Sequence, residues 1–167
     1  MAMTSENLKQ AFAGESQANR KYLSFAEKAK AEGFAQVARL FTAASEAEAI
    51  HARTHLRALE AVKSTVENLE AAVAGETYEF KEMYPPMLRA AVEEGNQRAK
   101  TAFDYAAQAE ERHATLYAQA LEAVRAGKDL AASAVSLCPV CGNVVLGAAQ
   151  GKCEICGTAA ERFITVT

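Results

Sequence analysis

The sequence predicts an all-α four-helix bundle over residues 1–126, joined by a linker at 127–133 to a small cysteine-bearing module at 134–167. Three observations carry this expectation. Residues 1–126 are rich in Ala, Leu, Glu, Gln, Arg and Lys, the strong helix formers. Their four glycines are spaced as helix punctuation, and all four cysteines lie between positions 138 and 156.

The elements follow in order. A Thr4 or Ser5 cap should open helix 1 and Gly33 should end it. Helix 2 then runs from about Phe34. Ser64-Thr65-Val66-Glu67 has the spacing of a capping box and marks the start of helix 3, which Gly95 ends. Helix 4 runs from about Asn96 to Ala126, before Gly127.

Composition excludes several classes. The chain has 167 residues, 50% hydrophobic and 23% charged, and its 18 Lys/Arg against 21 Asp/Glu leave a net charge of −3. That balance argues against a nucleic-acid binder, and no polybasic run suits an anionic membrane. No apolar stretch approaches the roughly 18–20 residues of a membrane span. The first residues lack a basic-then-apolar export pattern, so the expected address is the cytoplasm. A reducing compartment argues against disulfides and for clustered cysteines as metal ligands.

The bundle is written twice. Ala13-Gly14-Glu15-Ser16 recurs as Ala74-Gly75-Glu76-Thr77 at an offset of 61, and Glu48-Ala49-Ile50-His51 recurs as Glu110-Glu111-Arg112-His113 at an offset of 62. The one-residue slip falls in the stretch that carries Tyr84-Pro85-Pro86, where a bulge or kink would absorb it. Residues three apart on a helix point the same way, so each Glu-x-x-His is a pair of ligands. With one Glu from the neighbouring helix in each half, the set matches a carboxylate-bridged two-metal site in a bundle core. Glu48 and Glu110 would bridge, Glu15 and Glu76 would be terminal, and His51 and His113 would each bind one metal. Hard carboxylates with one imidazole per metal suit iron or manganese.

The halves differ at one carboxylate. Glu79 follows Glu76 by three residues, where the first half has Ala18. A fifth acid favours a more highly charged metal pair, or permits carboxylate exchange as valence changes. Tyr22, seven residues after Glu15, returns to the same face, and Tyr84, just before the prolines, should lie close, each either as packing or as a hydrogen-bond partner of the ligands.

Cys138-Pro139-Val140-Cys141-Gly142 and Cys153-Glu154-Ile155-Cys156-Gly157 form two CxxC knuckles, each followed by a turn glycine. Four thiolates suit zinc or a single iron. Beside an oxidisable two-metal centre, an iron that passes one electron makes more chemical sense.

The order Glu15, Glu48-x-x-His51, Glu76-x-x-Glu79, Glu110-x-x-His113, then CxxC…CxxC, resembles the rubrerythrins along essentially the whole chain. The resemblance implies a ferritin-like di-iron bundle with a rubredoxin-like Fe(Cys)4 module, and reduction of hydrogen peroxide to water in oxidative-stress defence. It implies that the seven bundle residues hold two irons and that Cys138, Cys141, Cys153 and Cys156 hold a third, with zinc a possible substitute at either site. It also implies that Tyr22 and Tyr84 lie beside the di-iron site, and that an external donor protein of rubredoxin or reductase type supplies electrons. Glu154-Ile155 departs from the family's Pro-containing dipeptide.

Spacing bears on assembly. A pseudo-twofold site needs helix 3 parallel to helix 2, so the chain must return about 36 Å along the bundle. A link of about four residues before Ser64 reaches only ~14 Å. The expectation is a homodimer in which helices 1–2 of one chain complete a bundle with helices 3–4 of the other. Two rival readings predict different metal contents. An iron-oxidising or iron-storing ferritin relative would hold many irons, and a zinc-ribbon helical adaptor without enzyme activity would hold one zinc and no iron.

Overall fold

A computed structural model describes residues 3–131 and 134–166. The elements are α1 (Met3–Ala31), α2 (Ala35–Ala58), α3 (Thr65–Tyr78), a π-helical turn (Glu79–Met83), α4 (Tyr84–Glu93), α5 (Gln97–Arg125), β1 (Val135–Leu137), β2 (Val144–Leu146), a 3-10 turn (Ala160–Arg162) and β3 (Ile164–Val166). The chain divides into two compact units, Met1–Lys63 and Ser64–Thr167. Of the linker expected at 127–133, Ala132 and Ser133 lie outside the described residues. Among the described residues, no helix is long and apolar enough to cross a membrane.

The first unit is a hairpin of α1 and α2. Met3 is already helical, so Thr4 and Ser5 lie inside α1 and neither caps it, contrary to expectation. Lys28 and Lys30 in its last turn complement the helix dipole. Gly33 takes a left-handed φ of 86°, which lets the Phe34 amide reach back to the Ala29 carbonyl at 2.9 Å. α2 ends at Ala58, two residues before the end near Glu60 that a four-residue link before Ser64 implies. Its end is closed in the same way, by the Glu60 amide on Arg57 and the Ala61 amide on Leu56, with the non-glycine Glu60 at φ 51°. No glycine announces that ending.

Buried Ala26, Ala29, Ala38 and Ala52 let the two helices approach closely. Between them lies a polar lock. Asn19 Nδ2 donates to the Ser45 carbonyl at 2.8 Å and to Ser45 Oγ at 2.9 Å, while Ser45 Oγ donates to the Asn19 carbonyl at 3.0 Å. Buried polar groups tolerate little mispairing, so this lock fixes the register of α1 on α2.

In the second unit the capping box is formed: Glu67 N donates to Ser64 Oγ, and Ser64 N donates to Glu67 Oε2. The expected single helix from Ser64 to Gly95 is interrupted by the π turn, where the Tyr84 amide bonds to the Glu79 carbonyl. Pro85 and Pro86 carry no N–H for the preceding turn, so that turn widens. The extra residue accounts for the step in repeat offset from 61 to 62. Asn96 caps α5 by accepting from Ala99 N at 3.1 Å. α3, the π turn and α4 pack along α5 around Ala91, Ala109, Ala114 and Leu121.

The module is a three-stranded antiparallel sheet in the order β2-β1-β3. Its two knuckles are built alike. The Cys138 amide donates to Asn143 O and the Gly142 amide to Cys138 O, and the Cys153 amide donates to Thr158 O and the Gly157 amide to Cys153 O. Gly142 and Gly157 sit at φ 79° and 74°, conformations that an L side chain would strain.

Candidate metal centre

Each unit carries one acid-and-imidazole triad. In the first, α1 supplies Glu15 and α2 supplies Glu48 and His51, with His51 Nδ1 2.8 Å from Glu48 Oε2 and 3.9 Å from Glu15 Oε1. The Asn19–Ser45 lock lies four residues after Glu15 and three before Glu48, so it brings these two acids level. In the second, α3 supplies Glu76 and α5 supplies Glu110 and His113, with His113 Nδ1 2.6 Å from Glu110 Oε2 and 3.9 Å from Glu76 Oε1. The two triads repeat each other almost distance for distance. Their ligand atoms lie within 4.8 Å of one another in each case, which suits a shared first-row metal.

Glu79 opens the π turn and lies within the same electrostatic cluster. Burial, then the Glu110 charge, raises its carboxyl pKa above the ordinary range. Burial and the neighbouring Glu110 carboxylate push Glu76 up to about 7. Acids so crowded must take up either protons or a cation. Tyr84 lies close enough to feel the same charges. Burial and the carboxylates of Glu110, Glu79 and Glu76 raise its pKa, so the phenol stays a donor. Tyr22, by contrast, joins an aromatic cluster, its ring centroid 6.2 Å from those of Phe25 and Phe41.

The two triads differ in cover. The His51 side chain is 55% exposed and that of His113 only 20%. The cause is the cysteine module, which lies against α5 of its own chain. His113 Nε2 lies 3.0 Å from the Gly142 carbonyl oxygen. A carbonyl can only accept, so Nε2 carries the proton and Nδ1 presents its lone pair. Nδ1 and Glu110 Oε2 are then two acceptors 2.6 Å apart. Either a proton or a metal cation relieves that contact, and the acid-and-imidazole donor set suits a divalent metal.

The four cysteines are free thiols whose sulfurs also converge. Cys138 Sγ is 3.5 Å from Cys156 Sγ, and Cys141 Sγ is 3.5 Å from Cys153 Sγ. Four metal–sulfur bonds of about 2.3 Å in a tetrahedron give nearly that spacing. Burial raises the Cys138 pKa, but the Cys141 and Val140 amides and the neighbouring thiols outweigh it, leaving Cys138 at about 6. The Cys156 and Ile155 amides likewise draw Cys153 down against burial, whereas burial pushes Cys141 up. Such a knuckle favours thiolate and hence metal. Tyr105 of α5, Ile155 and Phe163 pack against the buried cysteines.

The structure thus brings together six of the seven predicted bundle ligands as two triads, sets Glu79 and Tyr84 in the field of the second, and clusters all four cysteines. Sequence reading passed over the Asn19–Ser45 lock and the contacts of Tyr105 and Gly142. A polar pair at apolar-face positions of adjacent helices was the available signal for the lock. Nothing local announces the other two, which depend on how the module docks.

A sequence profile described as Rubrerythrin matches residues 6–121. Rubrerythrin-2 of Clostridium acetobutylicum is 34% identical, covering 97% of this chain and 96% of that protein. Nigerythrin of Nitratidesulfovibrio vulgaris is 37% identical over 96% of this chain and 85% of its own length. The fully reduced, all-ferrous structure of nigerythrin aligns with 99% of this chain and 88% of its own, at 35% identity and a TM-score of 0.59. The chain therefore belongs to the rubrerythrin family, oxidoreductases that carry a di-iron centre together with an iron held by four cysteines.

Proposed function

We propose that the chain is a peroxidase that reduces hydrogen peroxide to water, with electrons entering through the four-cysteine site. The observation that carries this reading is the contact between His113 Nε2 and the Gly142 carbonyl. It joins a carboxylate-and-imidazole triad to the knuckle of a one-electron thiolate site, through Cys141, one peptide and one hydrogen bond. A ferritin-type iron store needs no such relay, and an adaptor needs neither cluster.

Glu15, Glu48, His51, Glu76, Glu110 and His113 would hold the two irons, with Glu48 and Glu110 as the shared carboxylates and the imidazoles binding through Nδ1. Glu79 supplies the fifth carboxylate, and Tyr84 holds a proton at Oη beside the acids. Iron bound there supplies two electrons that, with two protons, convert one hydrogen peroxide to two waters. The external donor is a protein of rubredoxin or reductase type. Free thiols suit the cytoplasm.

We also infer that the complete site forms between two chains. Each unit holds part of the ligand set, three residues on one and four on the other, and leaves large apolar side chains uncovered, Leu40 and Ile50 on the first, Met87 and Val92 on the second. In the assembled bundle, Glu15, Glu48 and His51 of one chain meet Glu76, Glu79, Glu110 and His113 of its partner. The bundle expected over residues 1–126 is then built from two chains, with residues 134–167 as the relay module.

Stopped-flow mixing of the fully reduced protein with peroxide tests the reaction. The di-iron centre should oxidise far faster with peroxide than with air-saturated buffer. Equal or reversed rates would overturn the peroxidase reading in favour of an oxidase or ferroxidase.

A further inference from the structure

Three contacts seat the cysteine module on α5. His113 Nε2 donates to the Gly142 carbonyl at 3.0 Å, Arg112 Nη2 donates to Glu154 Oε2 at 2.6 Å, and Tyr105 packs against the buried cysteines. Tyr105, Arg112 and His113 are spaced seven and eight residues apart, which is two helical turns, so they form one stripe of α5. All three contacts engage the knuckle end of the module. At the sheet end, Val135, Val144 and Leu146 face Leu116 and Tyr117 across a cleft of about 380 Å³. The polar contacts between module and helix thus gather at the knuckle end, while β2 of the sheet end also meets α5.

The ion pair occupies a telling position. Arg112 precedes His113, and Glu154 follows Cys153, so the pair ties together the neighbours of an imidazole and of a thiolate. Its side chains are 51% and 53% exposed, so it adds little to global stability. Its leverage is on orientation, because it fixes the knuckle beside the His113–Gly142 hydrogen bond.

We propose that Arg112 and Glu154 are a positioning pair that holds the cysteine module in register on α5, keeping the Gly142–His113 hydrogen bond made for electron passage. The inference rests on the reading of the two clusters as electron donor and acceptor. Each passage moves one electron from ferrous tetrathiolate to oxidised iron at the triad, and no bond in the chain forms or breaks.

The test uses the full-length, iron-loaded protein with Arg112→Glu, Glu154→Arg and the double swap. Reduced protein is mixed with peroxide at low ionic strength, and reoxidation of the tetrathiolate is followed by its visible absorbance. Each single variant should slow that phase by roughly fivefold, and the double swap should restore it to within about twofold. Added salt should slow the wild type toward the single variants. Redox titration separates docking from driving force, because Glu154→Arg alters the charge beside Cys153 in both the single and the double variant. Amide hydrogen exchange across Gly142 and Glu154 gives a readout independent of turnover. It should quicken in the single variants and recover in the double.

Wild-type reoxidation rates in both single variants, or a double variant as slow as the singles, would overturn the proposal. If peroxide fails to oxidise the wild-type di-iron centre, the functional reading falls, while hydrogen exchange still decides whether the ion pair seats the module.

Discussion

Mixing two damaged chains separates a shared site from a private one. His51→Ala removes the imidazole of the first triad and His113→Ala that of the second. If each chain built its own complete site, no mixture of the two would contain an intact one. If the sites are shared between chains, a mixed dimer has one site missing both imidazoles and one missing neither. Random pairing then restores about a quarter of wild-type sites, from two individually inactive proteins. The structure supplies the reason to expect this. Glu48 lies ten residues before the end of α2 at Ala58, and Glu76 lies eleven after the start of α3 at Thr65. To bring the two acids level on parallel helices within one chain, the link must span about 32 Å along the axis. Seven Cα–Cα steps from Ala58 to Thr65 reach at most ~24 Å even when fully extended, and Leu59-Glu60 form a turn. Co-expressed variants carrying different affinity tags, purified through both, are assayed for peroxide turnover and iron content. Complete inactivity of the doubly tagged dimers, with both chains folded, would refute the shared-site reasoning.

Two further outcomes follow from single groups. Burial raises Glu76 from 4.5 to about 7, so the metal-free fold holds a proton that the unfolded chain has released between those values. Its stabilising contribution is complete below pH 4.5 and is lost as pH rises through 7. Thermal unfolding of chelator-treated protein should therefore show a melting temperature that falls from pH 5 to pH 8, and Glu76→Gln should flatten that fall. Iron-loaded protein should not show it, because the metal takes the place of the proton. Separately, Glu60 holds a left-handed φ of 51° that glycine adopts without strain. Glu60→Gly should stabilise the fold by about 0.5–1 kcal/mol in urea unfolding, less whatever the freer unfolded chain recovers.

Much of this was legible in the sequence because its chemistry is local. A Glu-x-x-His needs only one helical turn to become a bidentate pair, and a CxxCG needs only its own amides and a left-handed glycine to become a knuckle. The capping box at Ser64 and the glycine stops at Gly33, Gly95 and Gly127 are equally local. Even the slip in the repeat could be placed near Pro85-Pro86, since two missing amide hydrogens must disturb the turn before them. Where expectation failed, the deciding physics was not local. α2 ends at Ala58 without a glycine because Glu60 accepts a strained φ, and a propensity reading cannot see a strained residue in advance. α1 begins before its best capping candidates, because capping preferences are weak and place a helix start only to within a residue or two.

The contacts that make the clusters work together lay furthest from view. Asn19 and Ser45 are 26 residues apart, and either alone reads as a polar residue on a mixed face. Arg112 and Glu154 are 42 apart, and each looks like ordinary surface charge. Yet the first pair sets the height of Glu15 against Glu48, and the second sets the angle of the module on α5. Ligand identity is thus written in short motifs, while ligand alignment is written in pairs that only the fold brings together. That division explains why the duplicated halves keep the ligands and not the lock: at an offset of 62, Ser45 falls on Ala107. In the second half Gly142 and Glu154 instead contact α5 beside the triad, at His113 and Arg112.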